Sequence, residues 1–135
     1  MVRESHPLRF GPISAAAPGP LYEQVVAGVK REVAGGRLAP GDALPSLRVL
    51  AADLMVSLIT VKRAYEELER DGVIYSRQGL GAFVADGGAD QVRRQGLDAA
   101  REALKAAAKA GLAAGLSEDD LIDMLKSETA MGKQT

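Results

Sequence analysis

Between Tyr22 and Leu68 the apolar residues recur at helical spacing in three separate runs, and each run is cut short by a residue that ends helices. Tyr22, Val25, Val26, Val29 and Val33 follow i, i+3, i+4, i+7, i+11, one apolar stripe of a first helix, with Lys30 and Arg31 outside it. Pro20 is expected in its first turn, where proline loses no hydrogen bond, and Gly35-Gly36 closes it. Leu38-Ala39-Pro40-Gly41-Asp42 reads as a turn, with proline second and glycine third in the Ala39–Asp42 four. Leu47, Leu50, Ala51 and Leu54 form a shorter stripe behind Ser46 as N-cap, and this second helix breaks near Met55 and Val56. Val61, Ala64, Tyr65 and Leu68 form the third stripe behind Ser57, and Gly72 stops it. Ile59, Lys62, Arg63, Glu66 and Arg70 then project the other way at 100° per residue.

The segments around these helices differ in kind. Residues 73–77 and 82–85 are β-rich and flank Gln78-Gly79-Leu80-Gly81, which predicts a short hairpin. Gly87-Gly88 reads as a hinge, and residues 90–114 are Ala-rich and helical. Gly115 ends that helix, Ser117 caps the next, and Asp120 makes an acidic near-match to a capping box, with Leu116 and Leu121 placed as a hydrophobic staple. Residues 1–19 hold Pro7, Pro12 and Pro18 and read as an irregular arm, with one extended stretch at 8–13. The expected organisation is this arm, a domain over residues 20–86, and a two-helix tail over residues 89–131.

Composition removes several function classes. Apolar residues make up 47% of the 135, enough for a core, while aromatics are only 4%, so the core is built from Leu, Val and Ala. With no Cys, disulfide scaffolds, Cys zinc sites and thiol nucleophiles are excluded. The single histidine, His6, leaves no basis for a His metal site or general base. No carboxylate pair, nucleophile–base pair or phosphate-cradling loop is visible, and Gly79-Leu80-Gly81 sits in a hairpin rather than between strand and helix. The expectation is therefore no enzyme and no cofactor. No apolar run has the length of a membrane span and no signal-peptide core is visible, so a cytoplasmic protein with no membrane partner is expected. Residues 1–88 carry ten basic and ten acidic side chains, and residues 89–135 carry seven and eight, so bulk charge alone does not argue for nucleic acid.

The position of the charges does. Three helices followed by a hairpin make a winged helix, and two short helices split at Met55 and Val56 make a helix-turn-helix. The fold class is mainly α (α+β), a winged helix-turn-helix with a C-terminal helical tail. In that motif the second helix enters the major groove by its N-terminal end. Lys62 and Arg63 lie outward near that end, whereas Glu66, Glu67, Glu69 and Asp71 lie towards the back.

Four blocks resemble GntR-type regulators, in order and at the family's spacing across residues 20–85. They are Pro20-Leu21-Tyr22-Glu23-Gln24; the run from Gly36 to Arg48, with Pro40-Gly41-Asp42 and Leu44-Pro45-Ser46-Leu47-Arg48; Thr60-Val61-Lys62-Arg63-Ala64-Tyr65-Glu66-Glu67-Leu68-Glu69-Arg70-Asp71-Gly72; and the wing Arg77-Gln78-Gly79-Leu80-Gly81-Ala82-Phe83-Val84. The short two-helix tail resembles the YtrA-type subfamily, and the large effector domain of other subfamilies finds no room. The resemblance implies a DNA-binding regulator, a repressor acting as a homodimer on a palindromic double-stranded operator. It implies a DNA-contacting role for Arg48, groove reading by Ser57, Leu58, Ile59, Thr60 and Lys62, and minor-groove contact by Gln78 and Gly79; Arg63 and Arg77 join them as the cations beside these positions. Two positions depart from the pattern. Met55 stands where the family usually has glycine, and Leu58 and Ile59 stand where polar residues are common.

Other readings stay open on the residues alone. Lys62 and Arg63 could pair with Glu66 and Glu67 along the helix. Leu58 points close to the inner stripe and reads as core or as groove contact. Tyr65 reads as core with a hydroxyl within reach of a phosphate. A winged-helix adaptor for other proteins is the alternative to a DNA-binding role. Two half-sites demand a two-fold pair of chains, and Leu97, Ala100, Leu104, Ala108 and Gly111, with Leu121 and Leu125, form the candidate interface; the competing reading folds that stripe back on Leu121, Ile122 and Leu125 of its own chain. The sequence nominates no residue for a small-molecule effector.

Overall fold

The computed structural model describes residues 20–132. The arm, with its stretch at 8–13 and His6, lies outside the described residues. Five helices and one hairpin follow in the order α1 (Leu21–Ala34), α2 (Leu47–Leu54), α3 (Leu58–Arg70), β1 (Ile74–Arg77), β2 (Gly81–Val84), α4 (Gly88–Ala113) and α5 (Glu118–Gly132). The chain divides into two compact units between Gln95 and Gly96, inside α4.

In the first unit the three apolar stripes meet. Val25, Val29 and Val33 of α1, Leu50 of α2, and Val61, Ala64 and Leu68 of α3 are buried together with Leu38, Leu44, Val73 and Val84. Each fully buried Val or Leu side chain contributes about 1.5–3 kcal/mol, which is what holds helices as short as α2 in place. Pro20 is the N-cap of α1 rather than its first helical residue: its backbone is extended, and its carbonyl accepts from the N–H groups of Glu23 and Gln24. No side chain caps α1, because proline has no side-chain acceptor. Beyond α1, Asp42 N–H closes the turn on Ala39 O at 3.0 Å.

The hairpin is antiparallel, with Tyr75 opposite Phe83 and Arg77 opposite Gly81. Its strands are 74–77 and 81–84, one residue off the expected 73–77 and 82–85. Its β2 edge is covered by the segment before α2, whose sequence indicates only a turn and a lead-in. Ala43 bridges Phe83, Leu44 N–H donates to Ala82 O, and Val84 N–H donates to Asp42 O, both at 2.9 Å.

Gly87-Gly88 is not a free hinge. Gly88 is the first residue of α4 and is buried, and a Cβ there would sit 2.8 Å from Val73 O. The second glycine permits a close backbone approach, so this joint is packed.

The second unit contains the rest of α4 and α5. Leu116 N–H donates to Gly111 O and Gly115 N–H to Leu112 O, which closes the end of α4. The capping box at the start of α5 is reciprocal: Ser117 N–H donates to Asp120 Oδ2 at 3.0 Å, and Asp120 N–H donates to Ser117 Oγ at 3.1 Å. Hydrogen bonding to the Asp120 carboxyl from Ser117, from its backbone N–H first and then its side chain, holds that carboxyl below the usual carboxylate range. Gly111 is buried against Leu121 of its own chain, and a methyl group added there would overlap that side chain.

Candidate nucleic-acid interface

The corner between α2 and α3 decides what α3 presents. Met55 adopts a left-handed backbone, φ 57° and ψ 44°, and is the one non-glycine residue with positive φ among the described residues. Val56 N–H donates to Ala51 O and Met55 N–H to Ala52 O, so α2 ends and the chain turns within two residues. Methionine occupies the position at which the family resemblance places glycine, and it accepts the strained conformation with its side chain 91% exposed.

Ser57 caps α3, and its Oγ accepts from Thr60 N–H at 3.1 Å and lies 2.7 Å from Thr60 Oγ1. Among the described residues nothing accepts from the N–H groups of Leu58 and Ile59, and no acidic residue stands in the first turn. The positive end of the α3 dipole is therefore open. Leu58 is 44% exposed and Ile59 77% exposed, so Leu58 lies at the surface and not in the core.

Four cations of α2, α3 and β1, namely Arg48, Lys62, Arg63 and Arg77, are exposed. Arg48 is the second residue of α2. Lys62 lies one turn into α3, and among the described residues neither it nor Arg48 has an ion-pair partner. Arg63 is not paired along its own helix either. Its guanidinium stacks 3.9 Å over the ring of Tyr22 in α1, a contact between residues far apart in the chain that the spacing on α3 does not reveal. Arg77 ends β1 with its guanidinium 5.7 Å from the Tyr75 ring. Gln78 and Gly79 form the exposed tip, where Leu80 N–H donates to Arg77 O and Gly79 has φ 77°, a value that disfavours any residue with a Cβ.

Two side chains hold the framework. Tyr65 is buried, its hydroxyl donating to Pro45 O at 2.8 Å. The hydroxyl that the sequence left within reach of a phosphate is spent inside, fastening α3 to the approach of α2, and burial drives its pKa well above the ordinary tyrosine value. Glu69 accepts from Ser76 N–H and Oγ in β1. Behind the site, Lys30 donates to Asp71 Oδ2 at 3.0 Å and to Gln95 Oε1 at 2.9 Å. A cleft of about 490 Å³ runs between α3 and the hairpin, with Lys62 and Arg77 among its lining.

In the second unit, Leu97, Ala100, Leu104, Ala108 and Leu125 are exposed, Leu121 is half-buried, and Gly111 is taken up by Leu121. An apolar groove of about 710 Å³ lies between α4 and α5, lined by Leu104, Ala108, Leu121, Ile122 and Leu125. The stripe touches α5 at Gly111, and Leu97 and Leu104 are exposed. No helix among the described residues is long and apolar enough to cross a membrane, and no group of three or more His, Cys, Asp or Glu side chains could hold a metal.

The sequence pattern of bacterial regulatory proteins of the gntR family matches residues 21–84. The HTH-type transcriptional repressor YtrA of Bacillus subtilis is 40% identical over 67 residues, which are 50% of this chain and about half (52%) of that protein. The HTH-type transcriptional regulator YhcF of Bacillus subtilis is 32% identical over 113 residues, 84% of this chain and 93% of that protein. Among solved structures, a GntR family transcriptional regulator from Listeria monocytogenes superposes with a TM-score of 0.66 at 29% identity, over 82% of this chain and 96% of that one.

Proposed function

The chain belongs to the GntR family and is a DNA-binding transcriptional regulator, and from that premise we propose that it binds a palindromic operator as a homodimer and represses transcription there. The start of α3 enters the major groove and the Gln78–Gly79 tip reaches the neighbouring minor groove. The observation that carries this reading is the open N-terminal end of α3, which stands clear of its scaffold with Arg48 and Lys62 unpaired among the described residues. Arg48, Arg63 and Arg77 take phosphates, whose contacts set register and supply most of the salt-dependent affinity. Ser57, Thr60 and Lys62 offer polar contacts to phosphates and base edges, and the exposed Leu58 and Ile59 pack on thymine methyl groups.

Residues 20–86 bind DNA in this reading and residues 89–131 pair the chains. Leu97, Ala100, Leu104 and Ala108, with Leu121 and Leu125, supply the apolar surface for a second copy, and Gly111 supports it from within by seating Leu121. The repressor role is supported by the name of YtrA of Bacillus subtilis, which calls that protein a transcriptional repressor. The test is to sequence the genomic DNA fragments retained by the purified chain, then to measure binding to the recovered site against salt. A two-fold repeat with centres about one helical turn apart and a steep loss of affinity with salt are expected. Recovery of random fragments, or a shift insensitive to salt, overturns the reading and leaves the adaptor role.

A further inference from the structure

Two carboxylates from the back of α3, Glu66 and Glu69, line the cleft beside the proposed DNA face, and Glu69 is the one bonded to the hairpin. Glu69 lies on α3, lines the cleft between that helix and the hairpin, and is exposed. A free negative charge there opposes DNA binding through the phosphates. Its oxygens are engaged, however. Oε1 accepts from Ser76 N–H at 3.2 Å and Oε2 from Ser76 Oγ at 3.3 Å, so one carboxylate takes both donors of one β1 residue.

The hairpin makes the placement meaningful. It is a two-stranded sheet, and such a ribbon is marginal alone. Its β2 edge is covered by the Ala43 bridge and the bonds around it. Among the described residues the β1 edge has no strand beside it, and there the Ser76 amide meets Glu69. Ser76 is two residues before Gln78, so a side chain that fixes Ser76 also fixes the direction of the tip. The hairpin is thereby clamped from both edges, by backbone on one side and by a recognition-helix carboxylate on the other.

We propose that Glu69 is a positioning residue for the wing: it makes no DNA contact, and it holds the Gln78–Gly79 tip at the angle to α3 that lets one chain engage both grooves. This rests on the DNA-binding geometry proposed above. The experiment separates it from plain electrostatics by sign. Both Glu69→Ala and Glu69→Gln remove a negative charge beside the DNA, but glutamine keeps an acceptor oxygen for Ser76. Operator affinity is measured for wild type and both variants, on the recovered site and on a version with substituted flanks where the wing lies. The wing-positioning role gives Glu69→Ala about fivefold weaker binding, the equivalent of one lost hydrogen bond, together with a reduced penalty for the substituted flanks. Glu69→Gln then binds as well as wild type or better, with the flank penalty kept. If both variants bind equally to or tighter than wild type, with the flank penalty unchanged, Glu69 is only a repelling charge and the inference falls. A fall in thermal midpoint for Glu69→Ala with affinity and flank penalty unchanged also overturns it, as a merely structural role. Failure of the wild-type chain to select a site removes the DNA geometry itself, and that is read from the wild-type arm alone.

Discussion

Substituting Met55 by glycine is expected to stabilise the protein, because the strain at that residue has no compensating packing. A residue with a Cβ in the left-handed helical region costs about 1–2 kcal/mol relative to glycine, and Met55 sits there at φ 57° and ψ 44°. Its side chain is 91% exposed, so removing it empties no part of the core. Glycine gives back roughly 0.4–1 kcal/mol by loosening the unfolded chain. With mid-range values of about 1.5 and about 0.7 kcal/mol, the net gain is about 0.8 kcal/mol. For a unit of this size each kcal/mol moves the midpoint by about 4–8 °C, so Met55→Gly should raise Tm by roughly 3–6 °C. Urea unfolding followed by far-UV circular dichroism should show the midpoint rising at unchanged slope. Met55→Ala is the control, since it removes the side chain and keeps the Cβ, and it should leave stability nearly where it was. Equal shifts for the glycine and alanine variants, or a destabilised glycine variant, would refute the argument from backbone strain.

Three further outcomes are expected. Arg48→Ala and Lys62→Ala should each weaken operator binding and lower the slope of log affinity against log salt by about 0.9, with the molecular mass in solution unchanged; unchanged slopes in both would move the DNA contacts elsewhere. Leu104→Asp should shift the protein towards monomer by light scattering, since it places a charge on the uncovered apolar face of α4, and an unaltered mass would relocate the interface. Asp120 has its folded pKa depressed by the Ser117 bonds, so its contribution is complete above the unfolded value of about 3.9 and is lost as pH falls through the folded value. Acid titration of helix content should thus show a loss below about pH 4 that Asp120→Asn flattens, because asparagine keeps an acceptor but does not titrate; coincident curves would remove Asp120 from the acid response.

Local patterns were legible without coordinates for a physical reason. A helix repeats every 3.6 residues, so Val25, Val29 and Val33, or Val61, Ala64 and Leu68, declare a buried face from their spacing. Caps act over three residues, so Ser46, Ser57 and the Ser117/Asp120 pair were readable in place. The Pro20 assignment was one position off because spacing does not separate the last extended residue from the first helical one.

Periodicity names the face of a helix but not what that face meets, and the contacts that build the candidate site join distant residues. Arg63 on Tyr22, the Tyr65 hydroxyl on Pro45 O, Ala43 against Phe83 and Lys30 between Asp71 and Gln95 all depend on how elements stack. The amino-acid order alone determined three helices, two of them serine-capped, a glycine-tipped hairpin, a helical tail and the outward face of the third helix, since each follows from rules acting within about one helical turn. Tertiary structure alone decided that Met55 is left-handed, that Gly88 is packed against Val73, and which cations keep open ends, because those depend on where separate segments of backbone come to lie.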